Sequence, residues 1–157
     1  MLKKIISGGQ TGVDRGALDA ALAVKFACGG WCPSGRRAEN GQIPDQYPLQ
    51  ETNSTHYFDR TQRNVKDSDG TLIIASGPLS NGTQATARIA NLIKKPCLVL
   101  YPVQHTTEIM LEITITWLRR HSIQTLNVAG PRASQDPQIQ AVAKQLISQL
   151  IRKTKQR

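Results

Sequence analysis

Aromatic side chains are scarce in this sequence. They make up 4% of 157 residues, so a buried core has to rest on Ile, Leu, Val and Ala. Acidic residues are also in short supply. There are 20 Lys and Arg against 11 Asp and Glu, a formal net charge of +9. That surplus favours an anionic small-molecule partner such as a nucleotide, a phosphate ester or an oxyanion. Nucleic-acid binding would need an organised basic face with stacking aromatics, and the sequence shows no such pattern. No apolar run approaches the ~20 residues of a membrane span, so no membrane partner is expected. The first residues run straight into a glycine turn, without the apolar stretch of a secretory signal. Cysteines number three, Cys28, Cys32 and Cys97, an odd count that predicts a reducing, cytoplasmic compartment. Cys28 and Cys32 do not form a C-x-x-C, and His56, His105 and His121 are scattered, so no metal site is expected. Cys32 reads either as a nucleophile or soft-metal ligand, or as a small buried apolar residue.

What is present is ordinary globular composition, 39% hydrophobic and 20% charged. The length suits a single domain spanning residues 1–157, with Arg152, Lys153, Lys155 and Arg157 in a basic C-terminal tail. Short apolar runs predict strands over residues 2–7, 26–31, 71–75, 97–101 and 125–129. Helical periodicity predicts helices over residues 13–25, 60–66, 83–94 and, most clearly, from Ile139 onward. Residues 107–121 alternate like a strand in part, but their length favours a helix. Residues 33–50, rich in Gly, Pro and polar residues, read as a long functional excursion. Strands that alternate with helices imply an α/β, Rossmann-like, three-layer fold with a mostly parallel sheet of about five strands. In such a sheet ligands bind beyond the carboxyl ends of the strands, so the strand-to-helix turns carry the functional question.

Three such turns are rich in glycine. The first holds Gly8, Gly9, Gln10, Thr11, Gly12 and Asp14, and opens a helix whose start can receive an anion. It is neither a Walker A loop nor a G-x-G-x-x-G fingerprint. The second runs from Ser76 through Gly77 and Ser80 to Gly82 and Thr83, with Thr83 as a cap or hydroxyl donor. The third runs from Ala129 through Gly130, Pro131 and Arg132 to Ser134, and Arg132 can grip phosphate with two donors. The excursion adds Arg36 and Arg37, which read either as an anion clamp or as a solvated loop. Brought to one edge of the sheet, these segments would form a cationic, glycine-lined, phosphate-binding cleft.

Several of these motifs together resemble a known family. They are Gly8 to Arg15 with Ala17-Leu18-Asp19, then Gly29-Gly30-Trp31-Cys32-Pro33 with Gly35 to Glu39. Asn64-Val65 with Asp67-Ser68-Asp69, Gly82-Thr83, and Leu126 to Arg132 complete the set. Across nearly the whole chain they resemble the molybdenum (molybdenum-cofactor) carrier proteins, a circularly permuted YpsA-type branch of the SLOG superfamily. The resemblance implies that the strand before Gly130 corresponds to the first strand of unpermuted relatives. It also implies a nucleotide-like or pterin-phosphate ligand, molybdenum cofactor (molybdopterin) among them, and a homo-oligomer, dimer or tetramer. Phosphoribohydrolase relatives place an arginine ahead of a strand and a catalytic glutamate in Gly-Thr-x-x-Glu. Arg60 matches that arginine, whereas Thr86 stands at the glutamate position and cannot supply its carboxylate. The chain is therefore expected to be a ligand carrier rather than an enzyme. The alternative is a nucleotide-processing enzyme of the phosphoribohydrolase type, with Asp14, Glu39 or Asp59 as the acid–base group.

Overall fold

Five short apolar runs form one parallel sheet in the computed structural model, which describes residues 1–79 and 81–156. Ser80 of the second glycine turn and Arg157 of the basic tail lie outside the described residues. The strands are β1 (Lys4–Ile6), β2 (Cys28–Gly29), β7 (Gly70–Ile74), β8 (Cys97–Leu100) and β9 (Thr125–Ala129). Two small sheets lie outside it. One pairs β3 (Trp31–Cys32) with β6 (Gln50–Glu51), the other β4 (Arg37–Ala38) with β5 (Gly41–Gln42). Four helices lie between strands, α1 (Val13–Ala23), α2 (Tyr57–Lys66), α3 (Asn81–Leu92) and α4 (Thr107–Arg120), and α5 (Ile139–Lys155) follows the last strand.

The order across the main sheet is β2-β1-β9-β7-β8, with every pair parallel. Ile5 stands opposite Leu126, and Leu72 opposite Val128. The last strand of the sequence is thus the middle strand of the sheet. From β9 the sheet grows through β1 and β2 on one side and through β7 and β8 on the other. The connection from β1 to β2 runs to one side and that from β7 to β8 to the other, and such a reversal opens a crevice at the carboxyl ends of the strands between them. That topology places the turns after β1, β7 and β9 side by side.

Burial follows from helices on both faces. Every residue of β7 is buried, as a doubly covered parallel strand requires. The main core joins Ile5, Leu72, Leu126 and Val128 of the sheet to Leu146, Ile147 and Leu150 of α5. Val65 of α2 and Ile89 of α3 form a smaller cluster with Ala90. Helices α1 and α5 meet through small residues, Ala17, Ala20 and Ala143. Within α4, Met110, Leu111, Thr114, Ile115 and Leu118 are buried. That is a helical period, and it settles the helix over its partial alternation.

The structure departs from sequence expectation at two places. Residues 26–31 are not one strand. Gly30 breaks them at φ +130°, and a Cβ there would strike the Ser7 carbonyl, so β2 and β3 enter different sheets. The excursion carries the β4–β5 hairpin over a small core of Leu18, Cys32, Ala38, Ile43 and Tyr47. The basic residues 152–155 continue α5, as the helix predicted from Ile139 onward implies, and Lys155 Nζ donates to the Val24 carbonyl at 3.2 Å. No helix is long and apolar enough to cross a membrane, among the described residues.

Gly16 lies within α1, where alanine ordinarily gains about 1 kcal/mol over glycine. A Cβ at Gly16 would, however, overlap the Gln140 carbonyl oxygen, where α1 meets α5. Gly16→Ala is therefore expected to destabilise the protein by about 1–3 kcal/mol, read by chemical denaturation. An unchanged or higher midpoint would show that the two helices do not approach this closely.

Candidate functional site

A cavity of about 250 Å³ opens at the carboxyl ends of β1, β7 and β9. Its walls come from the turn after β1, the inner side of α2, the start of α3 and the loop after β9. Of the residues singled out in the sequence, Gly8, Gln10, Asp14, Arg60, Gly82, Thr83, Gly130 and Arg132 line it. Gly9, Thr11, Gly12, Arg36, Arg37 and Gly77 are not part of that lining.

The floor is set by Arg60, which α2 carries beneath the first glycine turn. Its Nη1 donates to the Gly8 carbonyl at 2.8 Å and stands 3.9 Å from Asp14 Oδ2. A Cβ at Gly8 would lie 2.5 Å from the same nitrogen, so the bare backbone there is what admits the guanidinium. Both side chains of the pair are 9% exposed. Burial pushes the Asp14 carboxyl above its ordinary value, with the Arg60 charge opposing it. Burial likewise pulls the Arg60 guanidinium down, with Asp14 opposing that in turn.

Three amides of the first turn that a phosphate cradle would use are already paired within the protein. Gln10 N–H donates to Asp14 Oδ2 at 3.1 Å, and Thr11 N–H to Gln10 Oε1 at 3.1 Å. Val13 N–H donates to the Pro131 carbonyl at 3.2 Å. Gly9 and Gly12, at φ +76° and +84°, allow the chain to turn tightly beneath Leu49 and against Pro131. The turn presents a side chain instead. Gln10 is buried, and its Oε1 accepts the amides of Thr11 and, at 2.9 Å, of Glu39. Those two donors fix which end of the side-chain amide is oxygen. Its Nε2 is left buried with no partner.

The opposite wall is more open. Gly82 at the start of α3 has no atom within 4 Å of where a Cβ would sit. Thr86, at the position of the relatives' glutamate, also lines the cavity and returns its hydroxyl to the Gly82 carbonyl at 2.8 Å. Gly77 is equally unobstructed but lies away from the cavity.

At the rim, three guanidiniums gather on one ring. Arg37, Arg60 and Arg132 stand 4.7, 5.1 and 5.3 Å from the ring centre of Tyr57. Arg37 also donates to the Thr55 carbonyl at 3.1 Å. Arg36 is placed differently. Its guanidinium binds the carbonyls of Ile43, Pro44 and Tyr47 at 2.7–3.0 Å and holds the excursion in shape. Thr11 donates its hydroxyl to Glu39 and accepts the Ala133 N–H at 3.1 Å. Burial pushes the Cys32 thiol up, as befits a packed apolar cysteine. No group of three or more His, Cys, Asp and Glu side chains among the described residues is placed to hold a metal ion.

Sequence reasoning missed Tyr57, the contact of Ser134 with Glu39 and the clasp made by Asn64. Asn64 exchanges two bonds with the Trp31 backbone, at 2.8 and 3.0 Å, and so fixes α2 against β3. Only the family motif had marked Asn64. Tyr57 gave no signal, because its three arginines come from three separate segments.

A five-stranded parallel sheet covered on both faces, with its central strand last in the sequence and a polar crevice at the switch point, defines a permuted Rossmann-like protein. Counting β9 first, then β1, β2, β7 and β8, reproduces the order of the Rossmann sheet. The model of the circularly permutated YpsA SLOG family matches residues 5–151, and the chain belongs to that family. It is similar, at 46% identity and a TM-score of 0.93, to the crystal structure of a "Putative molybdenum carrier protein" from Syntrophus aciditrophicus SB. The likeness covers 95% of this chain and 94% of that one. No curated protein matches the chain.

Glu39 offers a pH test of this geometry. Burial pushes its carboxyl up, but bonds from Ser134 and Thr11 and the charge of Arg132 outweigh that and hold it below the ordinary glutamate value. A carboxyl lowered on folding stabilises the protein above its unfolded value, and that contribution is lost as pH falls through the folded one. Glu39→Gln is thus expected to be less stable than wild type at neutral pH, with the gap closing in acid. Denaturation midpoints measured across the acid range check this; a gap independent of pH contradicts it.

Proposed function

We propose that this chain binds a phosphate-bearing small molecule, a nucleotide-like ligand or a pterin phosphate such as molybdenum cofactor, in the switch-point crevice, and acts as its carrier. The observation that supports this most strongly is Gln10. A buried donor without a partner costs about 1–3 kcal/mol, so such a group calls for an acceptor. A ligand phosphate or a polar ring edge in the cavity would supply one. Arg60, Arg132 and the start of α3, open at Gly82, would complete the grip. Bound molybdenum cofactor would contribute redox chemistry at its metal. The chain's own residues would hold the cofactor by its phosphate and polar edges, since no cluster of metal-ligating side chains is found among the described residues.

Asp14 supports a second reading, in which the protein processes a nucleotide. Its buried carboxyl lines the cavity and is pushed up, which suits a proton donor. Base release from nucleoside monophosphates, followed by chromatography and lost in Asp14→Asn, would favour turnover over carriage.

Calorimetric titration with nucleotides and pterin phosphates tests the carrier reading. Arg132→Ala is expected to weaken binding about tenfold, the loss of one charge-assisted contact. Gly82→Leu is expected to block the cavity while leaving the melting temperature unchanged or higher, because leucine favours a helix over glycine. Tight binding that neither change disturbs would place the ligand elsewhere.

A further inference from the structure

The loop between β9 and α5 already grips an oxyanion, and that oxyanion belongs to the same chain. The Glu39 carboxylate accepts the Ser134 N–H at 3.1 Å, the Ser134 hydroxyl at 2.5 Å and the Thr11 hydroxyl. Arg132 Nε stands 3.9 Å from it. One backbone amide, two hydroxyls and a guanidinium around a carboxylate are the donors that a phosphate group takes. Arg132 and Ser134 also line the crevice, so this cluster forms part of its wall.

Glu39 comes from the excursion, and the excursion has fastenings that do not involve this carboxylate. Arg36 ties its backbone together, Tyr47 donates to Asp19 at 2.7 Å, and Gln10 Oε1 holds the Glu39 amide. The side chain can therefore leave while the backbone stays. Its side chain is 18% exposed and that of Arg132 is 35% exposed, so solvent and solutes reach the contact. Even with Glu39 in place, the three guanidiniums on Tyr57 are matched by two carboxylates within ion-pair range, Glu39 and Asp14, among the described residues.

We propose that Thr11, Arg132 and Ser134 form a second anion subsite of the crevice, held in the structure by Glu39 as a stand-in for one phosphate of a diphosphate ligand. This rests on the carrier reading and specifies the ligand. One phosphate group meets Gln10, Arg60 and the start of α3. The other displaces the Glu39 carboxylate from the β9–α5 loop. A monophosphate fills the first position and leaves Glu39 where it is.

Titration of wild type, Glu39→Gln and Asp45→Asn with ADP and AMP tests this. Asp45 is exposed in the same excursion, so its change removes the same unit of charge away from the cluster. Glu39→Gln is expected to bind ADP about tenfold more tightly than Asp45→Asn, one charge-assisted contact no longer contested, with AMP within about twofold. Ser134→Ala, which keeps Glu39 but removes a donor, is expected to weaken ADP about fivefold and spare AMP. It also serves if Glu39→Gln fails to fold. ADP binding by Glu39→Gln no tighter than by Asp45→Asn, or equal tightening of AMP, overturns the second subsite and leaves the carrier reading standing. If wild type and variants bind neither nucleotide, the carrier reading fails for nucleotides and the subsite fails with it.

Discussion

A guanidinium buried beneath a turn organises this site. Arg60 reaches from α2 under the Gly8 carbonyl and toward Asp14, and it fixes the first glycine turn against the sheet. Removing either charge of such a pair would strand the other in a poorly solvated place, a penalty of about 3–5 kcal/mol. The pair also decides what the turn can offer. Asp14 is taken up by Arg60 and the Gln10 amide, and the amides of Thr11 and Val13 are likewise paired within the protein. The site is therefore a cavity floored by charge and rimmed by arginine, rather than a bare backbone cradle.

The circular permutation gives this arrangement its connectivity. Because β9 is the last strand and the central one, the loop after it meets the turn after β1 across almost the full length of the chain. The Ser7 hydroxyl binding the Val128 carbonyl, 121 residues away, is one such tie. The excursion supplies the third side. Arg36, expected to clamp an anion, instead gathers carbonyls and makes the excursion a firm platform. From that platform Glu39 reaches the β9–α5 loop, and Arg37 reaches Tyr57. An apparent pair of adjacent arginines thus divides into one structural and one rim residue, since Arg36 precedes β4 with a left-handed backbone, φ +54°, whereas Arg37 begins the strand.

Much of the fold was legible in the sequence because it is dictated locally. Residues 125–129 and the helix from Ile139 match the predicted elements, since apolar period and length separate strand from helix there. The break at Gly30 was not legible, because the clash that enforces it involves Ser7, on the far side of α1 in sequence. The helix at 107–120 was ambiguous until burial showed which residues face the core. For the site, the glycine turns and Arg60 and Arg132 could be found from motif and charge. Tyr57 and the Ser134–Glu39 contact could not, because their partners converge only after folding.

Taken alone, the sequence determined the alternation of strand and helix, the parallel sheet, and the three turns that would meet at one end of it. These follow from periodicities of two and 3.6 residues and from glycine, which act over a few neighbours. Only the tertiary structure decided which donors remain for a ligand. Whether an amide is paired or a charge is compensated depends on atoms as far away as the 95 residues that separate Glu39 from Ser134, and no local pattern encodes that distance.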